Sequence, residues 1–310
     1  GCVIEQLNQE NTPAITNIDN HGFEKCQLSS LNLPNLKVIG DYAFKYCPIT
    51  SIQLPNLVTA GSQAFQDCYI SNINLPSLET AGDSCFLECP ITSVVAPNLI
   101  QADDAAFFSC KIEYLFMPKL QKAGNSCFRY LNGPLTELDL PNLVEAGENC
   151  FLNCSIKSLK LPNLKIAGNA CFQECPLTAL DLPKLEVVGN QCFEGCALSD
   201  LCLPNLKTVG FAGFANNPFI SVTLPNLVEV YEYGFGECKS LEEFIAPRLQ
   251  IVGKKLFSEC PKLHTLKCGL PKSLCLLEVV LERRVFRVPS LQSRNYKLFG
   301  TWQSNKGKRV

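Results

Sequence analysis

A repeat of 21 residues runs through most of this 310-residue chain and constrains its fold more than any other feature. Its clearest mark is the tetrapeptide Leu-Pro-Asn-Leu or a close variant, which begins at Leu33, Leu54, Leu75, Ala96, Met117, Leu140, Leu161, Leu182, Leu203, Leu224 and Ala246. Successive starts lie 21 residues apart, except for one spacing of 23 and one of 22. A degenerate copy at Thr12 brings the total to twelve, and a phenylalanine follows every start by eleven positions. A period of this length is typical of a solenoid, in which each copy forms one coil.

The first half of a copy predicts a strand and a corner. In the copy that spans residues 47–67, Ile49, Ile52 and Leu54 give the L-x-x-L-x-L spacing of a leucine-rich repeat. The alternation of apolar and polar residues over Ser51–Leu54 predicts a short strand with one buried face. Pro55 has no backbone N–H, so it should end the parallel ladder and begin the corner.

The second half of a copy predicts the return segment. Gly61 suits a position with positive φ or a tight turn. Ala64, Phe65 and Cys68 follow at helix-like spacing. The repeated phenylalanine is predicted to be a wedge that fills the convex side of each coil, as at Phe44, Phe65, Phe86, Phe151, Phe172 and Phe193.

The predicted fold is an α/β-type repeat solenoid of the leucine-rich kind. A single continuous parallel β-sheet lines its concave face, and short helical, 3-10 or irregular segments form its convex side. One coil alone cannot offset about 1–2 kcal/mol of backbone entropy per residue, so stability must come from stacking coils on one another.

These residues closely resemble the BspA-like leucine-rich repeats, whose pattern is I-x-x-I-x-L-P-x-x-L followed by a small residue, Phe and a downstream Cys or Asn. The resemblance covers about residues 12–270. It implies surface-exposed or secreted microbial proteins that bind host or matrix proteins, or other cells, and that share no catalytic residues. The chain departs from the family in its short repeat of 21 residues and in its 19 cysteines.

Most of the cysteines occupy two columns of the repeat. Ten lie three residues after the phenylalanine, at Cys26, Cys47, Cys68, Cys89, Cys110, Cys154, Cys175, Cys196, Cys238 and Cys260, and five directly precede it, at Cys85, Cys127, Cys150, Cys171 and Cys192. We interpret the columns as small buried hydrophobic residues. A disulfide ladder between adjacent coils is the alternative, and the Cys-Phe-x-x-Cys spacing argues against a metal site. Reduced thiols would fit a reducing interior, which conflicts with a secreted family.

One cluster on the concave face stands out as a candidate binding site. The outward strand positions are mostly polar, but Val95, Tyr114 and Phe116 place apolar side chains on two adjacent coils. Exposed aromatic residues of this kind anchor many protein interfaces. Acidic residues nearby, Glu113, Glu137 and Asp139, are predicted to form a rim. The other interpretation is that the chain's tail or the curvature covers these residues. A weaker group near the C-terminal end, Cys202, Ile220 and Ile245, is interpreted as a capping surface.

The two ends differ in charge from each other. The chain carries a net charge of −2, which argues against nucleic-acid binding by the whole chain, whereas residues 262–310 hold eleven Lys or Arg and two Asp or Glu. We predict an N-terminal cap over residues 1–11, twelve repeats over 12–260, a C-terminal cap over 261–302 and a flexible basic tail over 303–310. That tail could contact a membrane.

No apolar run is long enough for a transmembrane helix, and the first residues lack the pattern of a signal peptide.

Nothing in the sequence predicts an enzyme, a metal or a cofactor. Phosphate-loop and nucleophile-elbow motifs are absent, and His21 and His264 lie near opposite ends of the solenoid. Asp103 and Asp104 form a carboxylate pair, but Asp103 replaces the turn glycine, which favours a structural role. The prediction is a non-enzymatic protein-binding repeat protein, surface-exposed or secreted. The alternative is a cytoplasmic interaction scaffold that uses the basic tail as an anchor.

Overall fold

The chain is a stack of about twelve parallel coils in a computed structural model that describes residues 6–8, 12, 15–131 and 133–269. Each coil carries up to two strands. The first series, of three or four residues each, comprises Gln6–Asn8, Ser30–Asn32, Ser51–Gln53, Asn72–Asn74, Ser93–Val95, Tyr114–Phe116, Glu137–Asp139, Ser158–Lys160, Asp200–Cys202, Ser221–Thr223, Glu243–Ala246 and Thr265–Cys268. The second series, of two residues each, comprises Asn17–Ile18, Val38–Ile39, Thr59–Ala60, Thr80–Ala81, Gln101–Ala102, Lys122–Ala123, Glu145–Ala146, Ile166–Ala167, Val187–Val188, Thr208–Val209, Glu229–Val230 and Ile251–Val252.

The continuous sheet is not the one that the sequence predicts. The second series forms an unbroken twelve-stranded parallel sheet, whereas the first series, predicted to form one continuous ribbon, divides into ladders of three, three, two and four strands. One break lies between Tyr114–Phe116 and Glu137–Asp139, where the repeat is two residues longer than the usual 21. Another lies at residues 179–181, which occupy a strand position but form no strand. We call the outward side of the first series the strand face.

The helical or 3-10 segments predicted for the convex side are not confirmed, because the described residues contain no helix. In every copy, the residues two before and two after the phenylalanine have a φ of about +50° to +70°, as at Gln63 and Asp67 around Phe65. This left-handed conformation interrupts a helix and turns alternate amides toward the next coil. The Phe65 N–H donates to the Cys85 carbonyl at 2.8 Å, while the Cys68 N–H donates back to Phe65 at 3.2 Å. We call this part of each coil the turn side.

The repeated phenylalanines form one column through the core. From Phe23 to Phe235 each ring stacks on the next with centroids 5.2–5.6 Å apart and planes within 14° of parallel. The six rings singled out in the sequence, Phe44, Phe65, Phe86, Phe151, Phe172 and Phe193, have no measurable exposure. Because each ring touches the coils before and after it, the column couples the coils along the solenoid axis.

Contacts at the two corners of each coil explain why the repeat contains an asparagine and a glycine. The asparagine of Leu-Pro-Asn-Leu donates to the proline carbonyl of the preceding coil, as from Asn163 Nδ2 to Pro141 O at 2.8 Å. The glycine of the second corner is required by close contact and not by a positive φ. A Cβ on Gly61 would meet the Asp41 side chain at 2.6 Å, and one on Gly168 would meet the backbone of Gly147 at 2.6 Å.

The predicted caps are described only in part. In the N-terminal cap, Gln6–Asn8 is a strand that pairs with Ser30–Asn32. In the C-terminal cap, Thr265–Cys268 pairs with Glu243–Ala246, so the solenoid continues past the predicted end of the repeats at residue 260. Residues 270–310, which include the rest of that cap and the basic tail at 303–310, lie outside the described part of the chain.

Candidate functional site on the strand face

The candidate site lies where alternation along a strand turns two aromatic side chains outward. In Tyr114–Phe116, Leu115 packs against the core, and the flanking rings point away from it. Tyr114 is 55% exposed and Phe116 is 44% exposed, far more than the phenylalanines of the core column. The strand before Pro118 thus places two large rings on a backbone that is paired with Ser93–Val95 on one side and lies at the edge of its ladder.

Strand register brings the predicted apolar residues together. Phe116 lies directly opposite Val95 on the neighbouring strand, and Tyr114 lies opposite Ser93. One strand further, Asn74 lies opposite Val95 and Asn72 lies opposite Ser93. Val95 is half-buried, so the exposed apolar area comes mainly from the two rings.

The three acidic residues predicted to form a rim are exposed, but their surroundings differ. Glu113 is exposed next to Tyr114, and its N–H donates to Thr92 O at 2.7 Å. Glu137 and Asp139 are exposed on a strand that pairs with Ser158–Lys160 and not with Tyr114–Phe116. Glu137 forms an ion pair with Lys160, and this hydrogen bond raises the pKa of Lys160. Asp139 lies directly opposite Lys160 in the register, so this lysine offsets negative charge from both acidic residues of the strand.

The break in the ladder beside the site contains the extra residues of the longer repeat. Leu131 is buried, in place of the cysteine of that column. Gly133 lies so close to the preceding coil that a Cβ there would meet the Ile112 carbonyl oxygen at 2.5 Å. A glycine therefore lets the longer segment pass against its neighbour on the way to Glu137–Asp139.

The weaker group near the C-terminal end is more dispersed. Cys202 and Ile220 are exposed, and Ile245 is half-buried. Thr223 lies between Cys202 and Ile245 in the register of three paired strands. These residues do not form a continuous apolar surface comparable to that of Tyr114 and Phe116.

Sequence reasoning missed two aromatic clusters away from the strand face. On the turn side, His21 stacks on Tyr42 with centroids 4.7 Å apart, and Lys45 Nζ lies 4.9 Å from the ring centre of Tyr46. Near the other end, Phe211 meets Tyr233 edge to face at 5.8 Å. Tyr42, Tyr46 and Tyr233 occupy positions of positive φ beside the repeated phenylalanines. Because the sequence predicts a helical turn side, it does not predict that these side chains form clusters.

The cysteine columns lie inside the solenoid. The fourteen cysteines from Cys68 to Cys260 are free thiols, and all but Cys202 and Cys260 are buried. In the column after the phenylalanine, nine thiols from Cys47 to Cys260 donate to the phenylalanine carbonyl of the preceding coil, as from Cys175 Sγ to Phe151 O at 3.2 Å. Asn217 takes the same place in one coil and donates to Phe193 O at 2.8 Å. Burial raises the pKa of Cys175 to about 12, so its thiol stays protonated.

The groups weighed for catalysis have structural partners. Asp104 Oδ1 accepts the Asn125 N–H at 2.7 Å, and Asp103 Oδ1 accepts from Gln101 at 2.6 Å. His21 is bound to Glu24 at 2.7 Å. Among the described residues, no group of three or more His, Cys, Asp or Glu is arranged to hold a metal ion. The same part of the chain has no helix with the length and hydropathy needed to span a bilayer.

Parallel coils, the L-x-x-L-x-L strands and the buried ladders define the class of this protein as a leucine-rich-repeat solenoid. A family model for the BspA-type leucine-rich repeat region matches in six copies, over residues 1–101, 59–178 and 165–274. The chain therefore belongs to the BspA-type leucine-rich repeat family.

One of three similar solved structures, with a TM-score above 0.5, agrees with this assignment at the level of the fold. A leucine-rich repeat protein from Bacteroides ovatus is 19% identical, with a TM-score of 0.57, over 87% of this chain and 78% of that one. A leucine-rich cell surface protein from Faecalibacterium prausnitzii is 15% identical over 84% of both chains, with a TM-score of 0.37. The pneumococcal vaccine antigen PcpA is 18% identical over 82% of this chain and 67% of its own, with a TM-score of 0.40. A search of curated protein sequences gives no match.

Proposed function

We propose that this chain is a non-enzymatic recognition protein that binds a protein partner on the strand face. Val95, Tyr114 and Phe116 form the contact, and Glu113, Glu137 and Asp139 form its rim. The proposal also places the protein at a microbial cell surface or in secreted form. That part rests on membership of the BspA-type family.

The observation that carries the proposal is the pair of exposed rings on the edge strand of a parallel ladder. Tyr114 and Phe116 are 55% and 44% exposed, although the remainder of the strand face around them is small and polar. Large aromatic side chains are the commonest hot spots of interfaces, since they bury much area and have few rotatable bonds. A preformed platform also loses little conformational entropy on binding.

The alternative function, a cytoplasmic scaffold, is favoured by the thiols. Free cysteines persist in reducing compartments, whereas secreted proteins usually form disulfides. Titration of thiols in freshly purified protein, before and after denaturation, separates the two functions. Many thiols that react only after denaturation indicate a scaffold, and thiols that stay silent until a reductant is added indicate export.

The binding proposal is tested by replacing the two rings. Partners are captured from host-cell and matrix extracts, identified, purified and measured against the wild type and the variant Tyr114→Ala with Phe116→Ala. Loss of two hot-spot residues should weaken binding by roughly 30-fold or more, with the melting temperature nearly unchanged.

A control variant carries Tyr69→Ala with Tyr231→Ala. These side chains are 63% and 40% exposed but lie outside the first strand series, so this variant should bind like the wild type. Equal affinity of the Tyr114 and Phe116 variant and the wild type would reject the site.

A further inference from the structure

The strand face changes character at the break beside the site. The outward residues of Ser30–Asn32, Ser51–Gln53, Asn72–Asn74 and Ser93–Val95 are Ser, Asn, Gln and Val, with no charged side chain among them. Past the break, Glu137, Asp139 and Lys160 begin a charged half of the face. The aromatic rings lie at the end of the uncharged half, so they share their surroundings with amides and hydroxyls.

The register arranges this half into two parallel rows. One row runs from Asn72 through Ser93 to Tyr114, and the other runs from Asn74 through Val95 to Phe116. Each row thus holds an amide at one end, a small residue in the middle and an aromatic ring at the other end. At about 4.8 Å per strand, the amides lie roughly 10 Å from the rings.

The amides have unused hydrogen-bonding groups. Both asparagines are exposed, and within the described residues Asn74 has no side-chain hydrogen bond. Asn72 donates to Ser71 Oγ at 3.1 Å and keeps its carbonyl oxygen for another donor. An amide both donates and accepts, as does a sugar hydroxyl.

We propose that these two rows bind an uncharged glycan that lies along the solenoid axis. The C–H face of one sugar stacks on Tyr114 and Phe116, because the negative face of an aromatic ring attracts C–H groups. Hydroxyls of a sugar further along bond to Asn72 and Asn74. The inference rests on the proposed function and adds that the partner is recognised through its carbohydrate.

The surroundings favour this ligand over others. A sulfated or sialylated glycan would find no cation in the two rows to pair with its charge, and Glu113 would repel it. A protein surface without glycans offers fewer groups that both donate and accept hydrogen bonds. Part of the hydrogen-bonding capacity of Asn72 and Asn74 would then be desolvated without a partner.

The test uses the full chain and a panel of soluble hexasaccharides. Neutral gluco-, manno-, galacto- and N-acetylglucosamine oligomers are compared with sulfated and sialylated ones by saturation-transfer NMR and titration. At least one neutral oligomer should bind, and the charged ones should not. Asn72→Ala with Asn74→Ala should weaken binding about tenfold, since two neutral hydrogen bonds are lost. Tyr114→Ala with Phe116→Ala should abolish it.

A matched control lies on the charged half of the same face. Ser221→Ala with Thr223→Ala should leave glycan binding unchanged, and circular dichroism verifies that every variant is folded. Absence of binding to any neutral oligomer, or no effect of the Asn72 and Asn74 variant, overturns the inference.

The captured partner separates failure of this inference from failure of the proposed function. If enzymatic deglycosylation of the partner leaves its affinity unchanged while the Tyr114 and Phe116 variant loses it, the glycan inference fails and the proposed function stands. If that variant retains full affinity for partner and glycan, both fail.

Discussion

Removing one ring from the middle of the phenylalanine column should destabilise the fold far more than removing one at its end. Phe151 has no measurable exposure and stacks on Phe128 and Phe172 at 5.3 and 5.2 Å. Replacing a buried phenylalanine with alanine lowers the free energy of unfolding by about 3–5 kcal/mol. Because Phe151→Ala also removes two stacking contacts, its cost should lie near the upper end, at about 5 kcal/mol. Phe23 is only half-buried, so Phe23→Ala should cost about 2 kcal/mol.

Urea denaturation followed by far-ultraviolet circular dichroism measures both variants against the wild type. The same comparison with Phe151→Leu, which keeps most of the apolar volume, should recover at least half of the loss. Equal costs for Phe151→Ala and Phe23→Ala, or a cost below about 1.5 kcal/mol for the former, would show that the column does not couple the coils.

Three other features give separate predictions. Gly168→Ala should destabilise the fold by about 2–4 kcal/mol in thermal unfolding, because its Cβ would overlap the Gly147 backbone at 2.6 Å, and a wild-type midpoint would contradict the close approach. Asn163→Ala should lower the free energy of unfolding in urea by about 1 kcal/mol, because the hydrogen bond to Pro141 O is lost. An unchanged free energy of unfolding would show that this asparagine bond does not stabilise the fold. Burial raises the pKa of Cys89 and Cys175 to about 12, so the stability that these thiols contribute is complete below the unfolded pKa of about 8.5 and falls as pH rises above it. Midpoints measured from pH 8 to 10 should therefore drop, and Cys89→Ala with Cys175→Ala should reduce the slope relative to wild type; a slope that the variant does not change would contradict this linkage.

The repeat was sufficient to predict the coils, the inward strand residues and the burial of the repeated phenylalanines. These features depend on period and side-chain volume, which are visible in a single copy such as residues 47–67. The strand predicted over Ser51–Leu54 is observed as Ser51–Gln53, and Phe65 is fully buried. The prediction that Val95, Tyr114 and Phe116 would be neighbours follows from the same period, because adjacent copies stack in register.

The turn side could not be predicted, because its conformation is set by bonds between coils. Gln63 and Asp67 adopt a left-handed φ that their residue types do not predict. The spacing of Ala64, Phe65 and Cys68 also fits a helix. Nor could the sequence show that Glu137 would be paired with Lys160, since the contact is made between two coils at charged outward positions.

Hydroxyl-radical footprinting of the chain with and without its captured partner would report most directly on which face makes contact. Oxidation of Tyr114 and Phe116 should fall sharply in the complex, while Tyr46 and Tyr69, on other surfaces, should be oxidised at the same rate in both samples. Protection of Tyr46 or Tyr69 with unchanged oxidation at 114 and 116 would contradict recognition through the strand face.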